Sequence, residues 1–300
     1  MRILIIGSSG FIGSSLKNFL EKKKVQVICY DLKENPPNDV LDYLNLKSKM
    51  KKLDGIVHLA AVSRVKLAYE NPKSCVEINM GGTVNVLEAA RELQEKRHSW
   101  IIFGSSREVF GEARILPAKE ESPKNPINIY GVAKLACEEF CKIYSKEYGL
   151  KIRVLGFSNV YTGKNDQLDR VIPKFILRAA KNKDLVIDGT GEETFDFTYI
   201  SDAIQGIWGC IREIEKSEQL YNDFNLLTGK GASLKELAGT IIREMKSKSK
   251  IKYASARTYD VKKFYGDPKK AKNFLHFSPN IKLYKGIRSA IKEFRREKLI

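Results

Sequence analysis

Tyr130 and Lys134 lie four residues apart in Tyr130-Gly131-Val132-Ala133-Lys134, a spacing that puts a phenol and an amine on one face of a helix. A free phenol titrates near roughly 10 and is a poor base at neutral pH. An ammonium beside it favours the phenolate and brings it toward the range useful for proton transfer. Twenty-four residues upstream, Phe103-Gly104-Ser105-Ser106 closes a strand-like run, where a serine hydroxyl can hold a reacting oxygen near the tyrosine. Ser106, Tyr130 and Lys134 are therefore the candidate catalytic residues. Their chemistry is oxidation of a hydroxyl or reduction of a ketone.

A second motif names the hydride carrier. Gly7-Ser8-Ser9-Gly10-Phe11-Ile12-Gly13 follows one apolar run and opens the first helical stretch. In that context Gly7 makes the tight turn, Gly10 lets backbone approach a pyrophosphate, and Gly13 lets helix and strand pack closely. The free N–H groups and dipole of the helix start favour phosphate. Asp31 closes the next run, Val25 to Tyr30. A carboxylate there accepts hydrogen bonds from ribose hydroxyls and repels a 2′-phosphate, so the predicted cofactor is NAD rather than NADP. Lys33 is the one nearby residue that softens this preference.

These residues need a parallel sheet to position them. Short β-branched runs at Ile3–Ile6, Val25–Tyr30, Gly55–Leu59, Trp100–Phe103 and Ile152–Leu155 alternate with helical stretches at Phe11–Lys23, Asn79–Lys96 and Tyr130–Tyr148, the rhythm of βαβ units. The fold class is α/β, a Rossmann-type doubly wound parallel sheet with a smaller C-terminal α/β substrate-binding lobe. Residues 1–160 form the cofactor domain, with 194–218 returning to it. Residues 161–193 and 219–300 form the lobe, which begins with a polar loop (Tyr161 to Arg170), a helix at Ile172–Lys181 and a strand at Leu185–Ile187; a further strand at Phe195–Tyr199 opens the returning segment.

Composition excludes several classes. No apolar stretch approaches the roughly 20 residues that span a bilayer, and the first apolar run is too short for a signal-peptide core. The net charge of +17 is spread along the chain, with no RNA-binding aromatic signature, so it reads as solvated surface rather than a nucleic-acid groove. Five scattered cysteines and three distant histidines, among them His98, offer no metal-ligand spacing. Cys137 and Cys141 read as packing residues, and a reduced cytoplasm fits best.

Taken together, GxxGxxG, the serine segment and YxxxK resemble the extended short-chain dehydrogenase/reductase family, in particular its NAD-dependent sugar-nucleotide epimerases and dehydratases. The resemblance covers nearly the whole chain. It implies that Phe11, Ile12, Leu32, Tyr43, Leu59, Ala60, Ala61 and Ser63 join the glycines and Asp31 around the cofactor, that Asp42 contacts adenine, and that Asn79 braces the active-site backbone. It places Phe157 and Ser158 against the nicotinamide, Lys134 on the nicotinamide ribose and Asn159 on a phosphate. On the substrate side it implies a nucleoside-diphosphate sugar held by Ser106, Arg107, Glu108 and Tyr130, by Arg170 and Val171 in a nucleotide-base loop, and by Arg257 and Asp260 in an RxxD element. Arginine suits the diphosphate because it makes paired, charge-assisted hydrogen bonds.

Two positions depart from the family pattern: Phe195, where many relatives have a phosphate-clamping arginine, and Phe110, where tyrosine is usual. Arg107 also replaces the aspartate of the Asp-Glu pair that 4,6-dehydratases use, and an arginine cannot act as a proton donor at ordinary pH. UDP-hexose 4-epimerisation through transient oxidation at C4 therefore ranks first. UDP-glucuronate decarboxylation, 4-dehydrogenation, 4-keto reduction and 4,6-dehydration follow, with a non-catalytic dinucleotide- or RNA-binding role last. Helices Asn79–Lys96 and Tyr130–Tyr148 carry apolar residues on more than one face, and the resemblance implies a homodimer through them.

Overall fold

A computed structural model describes residues 1–93, 99–162 and 166–300. Residues 94–96 of the expected helix Asn79–Lys96, His98, and 163–165 of the expected polar loop lie outside the described residues.

The cofactor half runs β1 (Arg2–Ile6), α1 (Phe11–Lys22), β2 (Gln26–Tyr30), α2 (Tyr43–Lys49), β3 (Gly55–His58), α3 (Val65–Glu70), α4 (Pro72–Val76), a π-helical turn (Glu77–Gly81), α5 (Gly82–Leu93), β4 (Trp100–Ser106), a 3-10 turn (Arg107–Phe110), α6 (Ile129–Tyr148) and β5 (Ile152–Phe157). The remainder runs β6 (Asn159–Tyr161), α7 (Val171–Ala180), β7 (Leu185–Asp188), β8 (Thr194–Tyr199), α8 (Ile200–Lys216), β9 (Tyr221–Leu226), β10 (Gly231–Ser233), α9 (Leu234–Met245), β11 (Ile251–Ala254), β12 (Lys263–Phe264), α10 (Lys269–Leu275) and α11 (Leu283–Arg296).

The main sheet has the order β2-β1-β3-β4-β5-β9, and all its pairings are parallel. Strand periodicity divides its residues between two cores. Ile3 and Ile5 face Leu16 and Leu20 of α1 and Ile204, Ile207 and Ile211 of α8. Leu4 and Ile6 face Leu46 of α2, Val86 and Leu87 of α5, and Cys137 and Cys141 of α6. Helices on both faces make this the doubly wound α/β fold, and its ligand crevice lies at the carboxyl ends of the strands where the order reverses between β1 and β3.

A second sheet joins β10, β8 and β12, with β6 also paired to β8, and β7 pairs with β11. Helices α7, α9 and α11 close a third core over it, from Phe175, Ile176, Leu237, Ile241, Ile287 and Phe294. The division of the chain differs from the expected one in detail. The segment 194–218 splits, because β8 belongs to the second sheet while α8 packs on the main one. The segment 221–226, expected in the lobe, is the edge strand β9 of the main sheet. No helix among the described residues is long and apolar enough to cross a membrane.

Candidate active site

Every predicted site residue except Asp42, Tyr43 and Asn79 lines one cavity of about 920 Å³ between the strand ends and the lobe. The glycine-rich turn forms its floor. Gly7 has φ +90°, and a Cβ there would sit 2.6 Å from the backbone nitrogen of Ala60. At Gly13 a Cβ would fall 2.0 Å from the Gly7 carbonyl oxygen, so α1 approaches β1 at a distance that only glycine permits. Asp31 ties this turn to the end of β2: its carboxylate accepts from the Ser9 N–H at 3.0 Å and the Lys33 N–H at 3.0 Å.

Asp42 does not reach the cavity. Its carboxylate caps α2 by accepting from the Asn45 N–H at 3.1 Å, and the Tyr43 hydroxyl donates to Glu92 outside the cleft. Asn38, Asp39, Val40 and Leu41 line the wall instead, held there because the Tyr30 hydroxyl donates to the Asp39 carbonyl at 2.7 Å. Asn79 lies behind the wall in a bracing position. It accepts from the Val62 N–H at 2.7 Å and donates back to the Val62 carbonyl at 3.2 Å. Its own carbonyl, in the π-helical turn, accepts from the Gly82 N–H, from the Thr83 hydroxyl and from the Cys137 thiol.

Two neighbouring elements deliver the catalytic candidates. β4 ends at Ser106, which caps the 3-10 turn by accepting from the Glu108 N–H at 3.3 Å. Its hydroxyl also faces the Tyr130 phenol. α6 starts at the cap Asn128, whose Oδ1 accepts from the Gly131 N–H at 2.9 Å. Asn128 also donates to Glu108 at 2.8 Å and to the Tyr259 carbonyl at 3.3 Å. Gly131 is what lets α6 press on the 3-10 turn, since a Cβ there would meet the Glu108 carbonyl at 2.5 Å. Tyr130 and Lys134 are thus buried on the cavity side of α6.

The electrostatics correct one expectation. Burial pushes the Tyr130 phenol above its ordinary value, and the Ser106 hydroxyl and the Arg107 guanidinium pull it down without offsetting that. Lys134 is itself pushed down by burial. Its ammonium donates to the Gly104 carbonyl at 2.7 Å and lies 4.7 Å over the Phe103 ring. The predicted lowering of Tyr130 by Lys134 is therefore not what this arrangement gives, because desolvation acts on both groups. His58, under the Leu59–Ala61 wall, is held down at about 3 by burial and then by Lys134, so it is a neutral core residue hydrogen-bonded to Thr83.

On the substrate side the charged groups pair with one another. Arg257 holds Asp260 at 2.9 Å and Asp188 at 3.5 Å. Arg170 holds Asp166 at 2.9 Å and lies over Phe11, and Val171 begins α7 beside it. Arg107 pairs with Glu108 at 2.9 Å, and its guanidinium stacks 4.7 Å over Phe195. Phe110 packs on Phe264. Ser158 donates to the Asp196 carbonyl at 2.8 Å, while the side-chain nitrogen of Asn159 is buried without a hydrogen-bond partner.

Sequence reasoning missed two contacts that cross the cavity mouth. Arg64 donates to Asp169 at 2.5 Å, and Tyr69 of α3 stacks on Tyr259 at 4.5 Å. Only the arginine and aspartate residue types hinted at the first, since more than a hundred residues separate the partners.

With this geometry in place, the comparisons with known proteins are decisive. The model of the NAD-dependent epimerase/dehydratase family matches residues 3–226. The chain belongs to that family. It is 33% identical to the "Putative UDP-glucose 4-epimerase" of Methanocaldococcus jannaschii, covering 96% of this chain and 97% of that protein. Among solved structures, the UDP-glucose 4-epimerase of Thermotoga maritima with UDP-glucose superposes with a TM-score of 0.91 at 25% identity, over 99% of this chain and 100% of that one. The UDP-glucuronic acid 4-epimerase of Bacillus cereus, in complex with UDP-glucuronic acid and NAD, gives 0.88 at 25% identity with the same coverage. Membership of this family makes the chain an NAD-dependent enzyme of the epimerase/dehydratase type on a Rossmann-like fold.

Proposed function

We propose that this chain is a nucleotide-sugar 4-epimerase acting by transient oxidation at C4 of a hexose carried on UDP. The observation that carries this reading is the convergence of Ser106, Tyr130 and Lys134 on one wall of the cavity whose floor is the glycine-rich turn. The residues present fit NAD: the Gly7 and Gly13 contacts leave no room for side chains under the turn, and Asp31 stands at the end of β2 where ribose hydroxyls need an acceptor. Bound NAD supplies a reversible hydride acceptor. Gly10 and the start of α1 would hold its pyrophosphate, Asp31 its adenosine ribose, Lys134 its second ribose, and Phe157 and Ser158 its nicotinamide.

Tyr130 takes the proton of the C4 hydroxyl and gives it back at the same oxygen, while Ser106 orients that oxygen through its own hydroxyl. One phenol serves both directions, so no further acid is needed. Glu108 is divided between Arg107 and Asn128, which among the described residues leaves no free acid beside the serine to expel water across C5 and C6. Asn159, with its buried unpartnered nitrogen, is assigned to a phosphate of the UDP. The exposed Val132, Ile143 and Tyr148 of α6 support a homodimer on that helix, which sedimentation of the NAD-loaded protein checks.

Incubation of the protein with UDP-, dTDP- and GDP-hexoses, with products identified by NMR, tests the reading. Interconversion of C4 epimers is expected. Net accumulation of a ketone, loss of carbon dioxide or loss of water would replace it with another member of the family's chemistry.

A further inference from the structure

Arg107 is an incompletely satisfied charged group on the cavity wall. Only 11% of its side chain is exposed. One terminal nitrogen is held by Glu108, and the other is out of solvent with no hydrogen-bond partner. Its flat faces lie against Phe195 at 4.7 Å and Phe264 at 5.9 Å, rings that fix the guanidinium but give its N–H groups nothing to bond. A buried donor left unpaired is destabilising, more so when it is charged. The nearby acids are already engaged, Glu108 by Arg107 and Asn128, Asp260 and Asp188 by Arg257.

The position of Arg107 limits what can complete it. It follows Ser106 directly, and its charge is felt at the Tyr130 phenol, so it belongs to the end of the cavity where the reacting hydroxyl sits. In a pyranose attached to diphosphate through C1, the diphosphate lies across the ring from C4. The nearest carbon that can bear an anion is C6, carried on C5 next to the reacting carbon. A planar carboxylate there matches a guanidinium fork.

We infer that Arg107 is a specificity-determining residue that recognises the C6 carboxylate of a nucleoside-diphosphate hexuronate. The inference rests on the C4 reading above and narrows its substrate from hexoses in general to uronic acids. Phe195 and Phe264 are positioning residues for the guanidinium, and Glu108 holds its second nitrogen so that the fork has one orientation.

The test measures calorimetric binding of UDP-glucuronate and UDP-glucose to the NAD-loaded Tyr130→Phe protein, in which proton transfer is blocked. UDP-glucuronate is expected to bind at least about tenfold more tightly, the effect of one charge-assisted hydrogen bond. Adding Arg107→Met should cut UDP-glucuronate affinity by about thirtyfold and UDP-glucose affinity by much less, with Arg107→Lys in between. Equal affinity for the two sugars, or equal loss of both on Arg107→Met, overturns the inference. The two readings fail separately. Conversion of UDP-glucose by protein that binds both sugars equally sinks the hexuronate and keeps the C4 chemistry. Preferred binding of UDP-glucuronate by protein that never converts it sinks the C4 chemistry and keeps the hexuronate.

Discussion

The two ends of the cavity are built on different principles. At the cofactor end the recognition groups are backbone N–H groups and empty space beside glycines, and these were fixed when α1 packed on β1. At the substrate end they are long charged side chains, most of which already hold a partner: Arg257 with Asp260 and Asp188, Arg170 with Asp166, Arg107 with Glu108. A ligand at the first end meets a preformed cradle. One at the second must compete with internal ion pairs, and its gain is the difference between two sets of contacts. The cofactor end is set by the packing of α1 on β1, whereas re-pairing Arg107, Arg170 or Arg257 would change the contacts offered to a substrate without touching the fold.

That contrast can be broken by mutation, and the largest effect is expected where both ends meet. Tyr130→Phe should lower turnover by about a thousandfold, within the range of general acid–base contributions, while calorimetry still detects NAD. Turnover within tenfold of the parent would refute the assignment. At the cofactor end, Gly13→Ala should cost roughly 1–3 kcal/mol through overpacking, lower the melting temperature and weaken NAD binding together. Retention of either at the parent value would mean that the close approach of α1 is not what forms the cradle.

Smaller effects sharpen the comparison. Asp31→Asn should shrink the preference for NAD over NADP by about tenfold, read from the two dissociation constants, because only a charge repels the 2′-phosphate. Asp42→Ala should cost about 1 kcal/mol of stability as a lost helix cap and leave NAD affinity unchanged, whereas Asp39→Ala should change affinity more than stability. The pH profile comes last. Because burial holds the Tyr130 phenol above its ordinary value, it is protonated at neutral pH. Each turnover has to start from the phenolate, so C4 interconversion in either direction should accelerate from neutral to alkaline pH, and a flat profile over that range would count against phenol-controlled proton transfer.

Legibility followed the same divide. The cofactor end could be read because its residues are contiguous and each glycine has a mechanical reason to be there; Gly7 and Gly13 behave as the spacing implied. The place of Asp42 could not, because its carboxylate is taken up by capping α2 while a tyrosine hydroxyl on β2 pins residues 38–41 along the cavity wall. The strand β9 was missed because Tyr221-Asn222-Asp223-Phe224-Asn225-Leu226 interleaves polar residues as an edge strand does, and so reads as a turn-rich segment. The YxxxK spacing put Tyr130 and Lys134 together on the cavity side of α6, where they lie. It could not show that Lys134 spends its ammonium on the Gly104 carbonyl, since that contact depends on where β4 ends. Nor did any spacing suggest that Asn128 would join α6, Glu108 and the Tyr259 loop.

The Arg64–Asp169 pair and the Tyr69–Tyr259 stack carry a kinetic consequence distinct from affinity. Both join the segment that follows β3 to loops of the lobe, so together they form a bridge over the mouth of the cavity. A bridge that opens and closes equally fast with and without ligand slows entry and exit by the same factor and leaves the dissociation constant alone. Residence time would then depend on this ion pair and this aromatic stack as well as on the groups that hold the ligand. Salt, which screens the first and not the second, should shorten that time only in part.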